Sequence, residues 1–462
     1  MGAQGDTIAA IATPPGTGGV GILRLSGPGA IQAAGQVFRP KGPLSLDQAP
    51  DRQLLYGTLL DREGRTLDTG LAFGSRAPHS YTGEETAELQ CHGSPMVLSL
   101  ALEALYAAGA QPAQPGEFTQ RAFLNGKLDL TQAEAVIDLI EAETPAAARQ
   151  AAGQLSGALA RQIDTVYQHL TDIMAHFCAV LDYPDEDIDP FRTQQLAQDL
   201  AEQQQTLEAL LATGRRGERL ARGISCVLIG QPNAGKSSLL NALAGYDRAI
   251  VTHLPGTTRD TIEVTVELGG YPFRLVDTAG LRESQDPIEQ LGVARSRAAL
   301  DQADLVLLVC DGSLGLTEAD RTLLAQAAGR TDTLVVANKC DLPGAVPFSP
   351  PANAAGVVTL SAKTGQGMAG LEEALAQLAQ RAFPQTQAAA AGALLTNRRQ
   401  TEAVDRAAQA VARAAEALAA GMTPDALLTD VEQAMAALGE LTGKTVREDI
   451  TRRIFERFCV GK

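Results

Sequence analysis

The sequence predicts a multidomain chain of mixed α/β and α class: an N-terminal α+β domain, an all-α domain that is discontinuous along the chain, and an α/β domain inserted between its two parts. Three observations carry this. Residues 1–118 hold short apolar runs separated by Gly, Pro and Asp clusters, the pattern of strands and turns. Residues 119–216 and 384–462 share an Ala-, Gln-, Glu- and Leu-rich composition with apolar residues at helical spacing. Between them, residues 217–383 alternate strand-like and helix-like runs, which builds an α/β sheet. At 462 residues the chain is too long for a single core, and a 45% hydrophobic composition suits a folded globular protein.

In the N-terminal segment, strands are expected at Thr7–Ala12, Val20–Leu25, Leu54–Leu60 and Ala87–Cys91, and a helix over Pro95–Ala108 with Gly109 as its stop. Helices follow through 119–216, broken around YPDEDIDP (Tyr183 to Pro190), where two prolines and an acidic run favour a loop. The α/β segment offers strands at Ile224–Ile229, Thr261–Leu268, Phe273–Val276, Leu305–Cys310, Leu334–Ala337 and Val357–Leu360. A last helix, about Val446 to Phe458, places Val446, Ile450, Ile454, Phe455 and Phe458 on one apolar face. The matching composition of the two helical stretches fits one domain with an insertion; two separate helical domains would have the same composition.

The net charge of −16 sets long-range repulsion against phosphate backbones, so a nucleic-acid contact must be local or shared with a more basic partner. The six cysteines form no CxxC pair and the five histidines do not cluster with them, which argues against a zinc site or a disulfide framework and fits a reducing cytosol. The first residues lack the basic start and long apolar core of a signal peptide, and no apolar run approaches the roughly 20 residues of a membrane span. A soluble, cytoplasmic protein with no membrane partner is expected.

Five motifs occur in fixed order: GQPNAGKS (Gly230 to Ser237), GTTRD (Gly256 to Asp260), DTAG (Asp277 to Gly280), NKCD (Asn338 to Asp341) and SAK (Ser361 to Lys363). The first follows a predicted strand and precedes a helix, the context a phosphate-binding loop needs. Its backbone N–H groups, from Asn233, Ala234 and Gly235 into the helix at Lys236, Ser237 and Ser238, would close around phosphates, with Lys236 on the β- and γ-phosphates and Ser237 on Mg²⁺. Thr258 is the second expected Mg²⁺ ligand, in a nucleotide-contacting loop made of Thr252, His253, Leu254, Pro255, Gly256 and Thr257. Asp277, Thr278, Ala279 and Gly280 would face the Mg²⁺ shell and the γ-phosphate. The Asp341 carboxylate can accept from N1–H and the 2-amino group of guanine, a pairing adenine cannot offer. Asn338 and Lys339 would tether that loop, Cys340 rides in the motif, and Ala362, between Ser361 and Lys363, could offer its N–H to guanine O6. Together these describe a Ras-like, P-loop guanine-nucleotide domain. Leu281, directly after DTAG, occupies the place where many GTPases keep a water-orienting glutamine, so hydrolysis must run by another route.

GQPNAGKSSLLNAL, GTTRD, DTAGLRES and the terminal CVGK, with ATPPGTGGVGILRLSG, SYTGEETAELQCHG and PGEFTQRAFLNGKLDLTQAEA near the N-terminus, resemble the tRNA modification GTPase family called MnmE or TrmE. The resemblance covers essentially the whole chain. It implies a tetrahydrofolate-binding and dimerising N-terminal domain (1–118), a helical domain in two parts (119–216 and 384–462) and an inserted G domain (217–383). It further implies a homodimer, a heterotetramer with an FAD protein of the MnmG or GidA type, and addition of a carboxymethylaminomethyl-type group to C5 of the wobble uridine of certain tRNAs, using a 5-formyl- or 5,10-methylene-type tetrahydrofolate. By the same resemblance, K⁺ would sit on Asn233, Thr252, Leu254 and Thr257, in the place of an arginine finger, and Glu289 would position water; by itself Glu289 reads as an ordinary exposed acid. Arg24, Glu88, Lys127 and Lys462 carry over as folate contacts. Cys459 matches the family's terminal cysteine and reads equally as a small apolar neighbour of Phe458.

A different reading, a ribosome-assembly GTPase acting as an RNA-binding switch, would share the G motifs but should carry a basic module, which a charge of −16 opposes. Arg447, Arg452, Arg453 and Arg457 fit either a tRNA contact or a solvated helix face paired with Glu448, Asp449 and Glu456.

Overall fold

The computed structural model describes residues 5–182, 193–245, 249–250, 263–277, 300, 303–327, 332–344, 351–382, 393–445, 454–455 and 458–461. The chain forms two compact units, residues 1–137 with 438–462, and residues 138–437.

The first unit is built on a seven-stranded sheet: β1 (Ile8–Ile11), β2 (Gly18–Ser26), β3 (Phe38–Pro40), β4 (Leu55–Leu60), β5 (Thr66–Ser75), β6 (Thr86–Gly93) and β7 (Gln111–Pro112), in the order β3-β4-β5-β6-β2-β1-β7. Neighbours are antiparallel except β1 with β7. Helices Ala30–Val37 and Pro95–Ala107 close one face over Leu23, Leu25 and Leu89. The expected strands and the Pro95 helix are present, each within two residues of its predicted ends, and Gly109 beyond that helix has a left-handed φ of 103°. Strand β5 escaped notice because Gly70 and Gly74 weaken its pattern. The first of these glycines is obligatory: a Cβ on Gly70 would lie 2.0 Å from the Gln90 carbonyl oxygen across the ladder. The helix Ala30–Val37 also went unpredicted, since it starts from Gly29 with no side-chain cap to announce it.

The C-terminal segment belongs to this unit. Val460 bridges Pro115, the Gly116 N–H donates to the Cys459 carbonyl (3.3 Å), and Phe455 and Phe458 pack with Ala133 and Ile137. Of the expected last helix, Ile454 and Phe455 are helical, and 446–453 lies outside the described residues.

In the second unit, β8 (Ile224–Ile229), β9 (Ala249–Ile250), β10 (Glu263–Leu268), β11 (Tyr271–Asp277), β12 (Leu305–Asp311), β13 (Asp332–Asn338) and β14 (Gly356–Thr359) form a sheet in the order β14-β13-β12-β8-β11-β10-β9. It is parallel from β14 to β11, and β10 turns back antiparallel. Alternate residues of β8, β12 and β13 feed two cores. One lies under helices Lys236–Ala244 and Met368–Ala382, the other under Glu318–Ala327. Burial on both faces is why these strands read as unbroken apolar runs. The YPDEDIDP stretch lies outside the described residues.

Helices from before and after this sheet pack directly on each other, Thr193–Leu211 against Arg398–Ala419. The chain returning from the sheet, 393–397, is buried among them and held by polar side chains. Thr213 Oγ1 accepts from the Leu395 N–H (3.3 Å), Gln400 Oε1 from the Thr396 N–H (2.9 Å), and Gln154 Nε2 donates to the Leu394 carbonyl. Gly217, in helix Gly214–Arg222, lets the two crossings touch: a Cβ there would lie 2.1 Å from the Leu395 oxygen. Gly217→Ala is therefore expected to lower stability by about 2 kcal/mol, read as a fall in thermal midpoint. An unchanged midpoint would show that this junction is loosely packed.

Candidate functional site

The GQPNAGKS loop runs from the end of β8 into helix Lys236–Ala244. Its shape is set by backbone conformations few residues adopt: Gly230 at φ 147°, Asn233 at φ 63° and Gly235 at φ 96°. Gly230 passes the next strand so closely that a Cβ would sit 2.1 Å from the Val309 oxygen, and a Cβ on Gly235 would sit 2.2 Å from Asn338 Nδ2. The Lys236 ammonium donates back to the carbonyls of Gly230 (2.9 Å) and Gln231 (3.1 Å), closing the loop. Ser237 and Ser238 are exposed at the start of the helix. Asp277 ends β11 in register with Leu228 of β8, which puts it beside the loop's point of departure.

The base motifs arrive from the neighbouring strands. Asn338, 2% exposed at the end of β13, donates from Nδ2 to the Ala234 carbonyl (2.9 Å) and accepts at Oδ1 from the Ala362 N–H (2.9 Å). One amide thus ties the phosphate loop to the SAK loop. The Ala362 N–H is engaged by this amide, so a base oxygen would have to share it. Ser361 is fully buried; its N–H donates to the Gln366 carbonyl (2.8 Å), while the Cys340 N–H donates to the Leu360 carbonyl (3.1 Å). Asp341 and Lys363 are exposed at the rim. Lys339 has φ 66°, and its ammonium reaches Asp311 Oδ2 at 2.6 Å. Burial alone would push the Asp311 carboxyl up; Lys339 and the Ser313 hydroxyl and N–H outweigh it and hold it below its ordinary 3.8. Asp311 was not singled out in the sequence; the signal available was an acid ending a buried strand just before Gly312. Cys310 beside it is buried and its thiol is pushed up to about 12, which leaves it inert.

Of the other nucleotide and cation residues expected from sequence, Thr252, His253, Leu254, Pro255, Gly256, Thr257, Thr258, Thr278, Ala279, Gly280, Leu281 and Glu289 lie outside the described residues.

The first unit holds a cavity of about 290 Å³ against β2, β5 and β6. Arg24 and Glu88 face each other across the β2–β6 ladder and pair at 2.8 Å, both half-buried. The Arg24 guanidinium also lies 5.8 Å from the Tyr81 ring centre and 5.9 Å from that of Phe118, and donates to the Gly461 carbonyl (3.3 Å). Gly461 has φ 96°, and a Cβ there would lie 2.5 Å from the Ile11 oxygen, so the penultimate position needs glycine. The tail thereby brings the residue before Lys462 to Arg24; Lys462 itself lies outside the described residues. Lys127 packs along the turn that walls the cavity, its ammonium donating to the Pro78 carbonyl (3.1 Å). Glu88 is the one carboxylate among the described lining residues, beside Arg24, Arg52 and His79. Arg52, at φ 61°, and His79 were not foreseen, since neither sits in a motif that names a chemistry. A pocket with one carboxylate, two guanidiniums and aromatic walls suits a planar, hydrogen-bonding ring that carries negative charge.

Among the described residues no helix is long and apolar enough to cross a membrane. A family profile described as GTP-binding protein TrmE N-terminus matches residues 7–127, and one described as MnmE helical domain matches residues 130–459. A Chloroflexus aurantiacus protein described as tRNA modification GTPase MnmE is 46% identical over 460 residues, covering 99% of this chain and 100% of that protein. One of the same description from Symbiobacterium thermophilum is 45% identical over 460 residues, covering 99% of each chain.

Proposed function

The chain belongs to the tRNA modification GTPase MnmE family, and on that premise we propose that it hydrolyses GTP in the service of modifying the wobble uridine of tRNA. The observation that carries the nucleotide half is the Asn338 amide, which joins the phosphate loop to the SAK loop at the edge of the sheet where Asp341 can read a base. Lys236 and the N–H groups of Asn233 to Ser238 hold the phosphates; Ser237 and Thr258 hold Mg²⁺. Glycine at 230 and 235 fits this role, because a Cβ at either would strike the Val309 oxygen or Asn338 Nδ2 and push the loop out of place. Asn233, Thr252, Leu254 and Thr257 offer the amide, hydroxyl and carbonyl oxygens that suit a hard monovalent cation such as K⁺, whose charge would oppose that developing on the phosphates. Glu289 holds the attacking water in place of the glutamine that Leu281 replaces.

In the N-terminal unit, the Arg24–Glu88 cavity accepts a tetrahydrofolate derivative. Glu88 can accept from the 2-amino and N3–H groups of the pterin, and Arg24, Lys127 and Lys462 supply positive charge. When bound, that group supplies the one-carbon unit. The working assembly is a homodimer joined to an FAD partner of the MnmG or GidA type, with tRNA as substrate.

Two measurements test this. GTP turnover is expected to be at least about tenfold faster in K⁺ than in Na⁺ at equal ionic strength; equal rates would remove the cation from the mechanism. Nucleoside mass spectrometry of tRNA from cells lacking the protein should show the C5 substituent of the wobble uridine missing. An unaltered nucleoside profile would refute the tRNA role and favour an RNA-binding switch.

A further inference from the structure

Asp311 and Lys339 form a strut across the ends of two strands. Asp311 closes β12, Asn338 closes β13 in register with it, and Lys339 follows directly. The Asn338 carbonyl accepts from the Gly312 N–H (2.7 Å), so the two strand ends are joined through their backbones as well. Each Asp311 oxygen has its own work: Oδ1 accepts from the Ser313 N–H (3.0 Å) and hydroxyl (2.6 Å), and Oδ2 accepts from the Lys339 ammonium (2.6 Å). Lys339 holds a left-handed backbone, a conformation unfavourable for a non-glycine residue that persists only where its surroundings impose it. With the backbone turned this way, Asn338 is sent inward to Ala234 and Ala362, while the Lys339 side chain is drawn across to the β12 end. The four-carbon stem of Lys339 therefore spans two adjacent strand ends, beside Asp341, as an apolar rod anchored at both ends.

We propose that Asp311 is a positioning residue for nucleotide binding, which pins the Lys339 ammonium so that the methylene stem forms a fixed floor for the face of the guanine ring while Asp341 reads its edge. This rests on the reading of the site as a guanine-nucleotide site. A flexible lysine would surrender side-chain entropy each time a base bound, and the strut removes that cost beforehand. Asp311 makes no contact with the base in this arrangement; it acts through Lys339.

The test is a double-mutant cycle in the full-length protein, read as the dissociation rate of a fluorescent GDP analogue and as the KM and kcat of GTP turnover. Asp311→Ala and Lys339→Met each break the strut and keep the stem. Each is expected to speed nucleotide release by about tenfold, a moderate loss of pre-organisation, with the change in turnover falling on KM. The double variant should be no worse than either single one, and Lys339→Ala, which also removes the floor, should release faster still. The ratio of GDP to IDP affinity should hold in Asp311→Ala, because inosine lacks only the 2-amino group that Asp341 reads. Additive effects of Asp311→Ala and Lys339→Met, or release unchanged in Asp311→Ala, would overturn the strut. A collapsed GDP-to-IDP ratio would overturn it too, by placing Asp311 on Asp341 instead. Asp311→Asn is the guard against misfolding: it retains the Ser313 bonds and loses the ion pair, so slow release in this variant would equally refute the proposal. Failure of the unaltered protein to bind the GDP analogue would refute the nucleotide site itself.

Discussion

Asn338→Ala is expected to weaken GDP and GTP binding by at least about 100-fold and to destabilise the second unit. Its amide serves two loops at once, bonding the Ala234 carbonyl and the Ala362 N–H from a position 2% exposed. Truncation to alanine strands both groups. A buried group left without a partner costs about 1–3 kcal/mol, so a loss of roughly 2–4 kcal/mol is expected. The affinity loss has the same origin, because a phosphate loop and a base loop no longer held in register must be brought together by the nucleotide. Asn338→Asp separates the two bonds: a carboxylate can still accept from Ala362 but repels the Ala234 carbonyl, so this nearly isosteric change should also fail. Calorimetric unfolding and titration with a fluorescent nucleotide check both numbers. Affinity retained within threefold in either variant would show that the loops are registered by other contacts.

Arg24→Ala should weaken folate binding by at least about 100-fold and loosen the chain at Gly461. Arg24 is shared between the Glu88 carboxylate, the Gly461 carbonyl and the faces of two aromatic rings. Truncating one member of a largely desolvated, hydrogen-bonded charge pair costs about 2–5 kcal/mol, much of it from the charge left behind. Here that charge is Glu88, the carboxylate proposed to meet the pterin. The Gly461 contact makes a second outcome testable, faster trimming of the tail by carboxypeptidase. Glu88→Gln divides the roles, since it keeps an acceptor for Arg24 while losing the charge that pairs with the ligand. It should bind folate weakly and keep its tail protected. Normal calorimetric titration of 5-formyltetrahydrofolate into Arg24→Ala would mean the ligand binds elsewhere.

The parts of this protein that were legible in the sequence are local in character. GQPNAGKS announces a strand, a tight loop and a helix within a few residues, and NKCD and SAK name the base chemistry by residue type alone. Strands β8, β12 and β13 were readable because burial on both faces leaves an unbroken apolar run. Strand β5 was missed for the opposite reason: Gly70 is demanded by the carbonyl of Gln90, twenty residues away, and nothing nearby in sequence shows it. Asp311 and Arg52 were missed because their partners, Lys339 and the Ser75–His79 turn, lie 28 and 23 to 27 residues distant.

The sequence by itself determined the strand–loop–helix setting of the GQPNAGKS motif, the GTPase class and the family, because each depends on residue types at short, fixed spacing. Only the tertiary structure decided which distant groups meet. It placed the penultimate Gly461 against Arg24, joined Ala234 to Ala362 through the one amide of Asn338, and set Lys339 on Asp311. Spacing along a chain carries no record of contacts 24 to 437 residues apart; sheet register and close backbone approach at glycine create them.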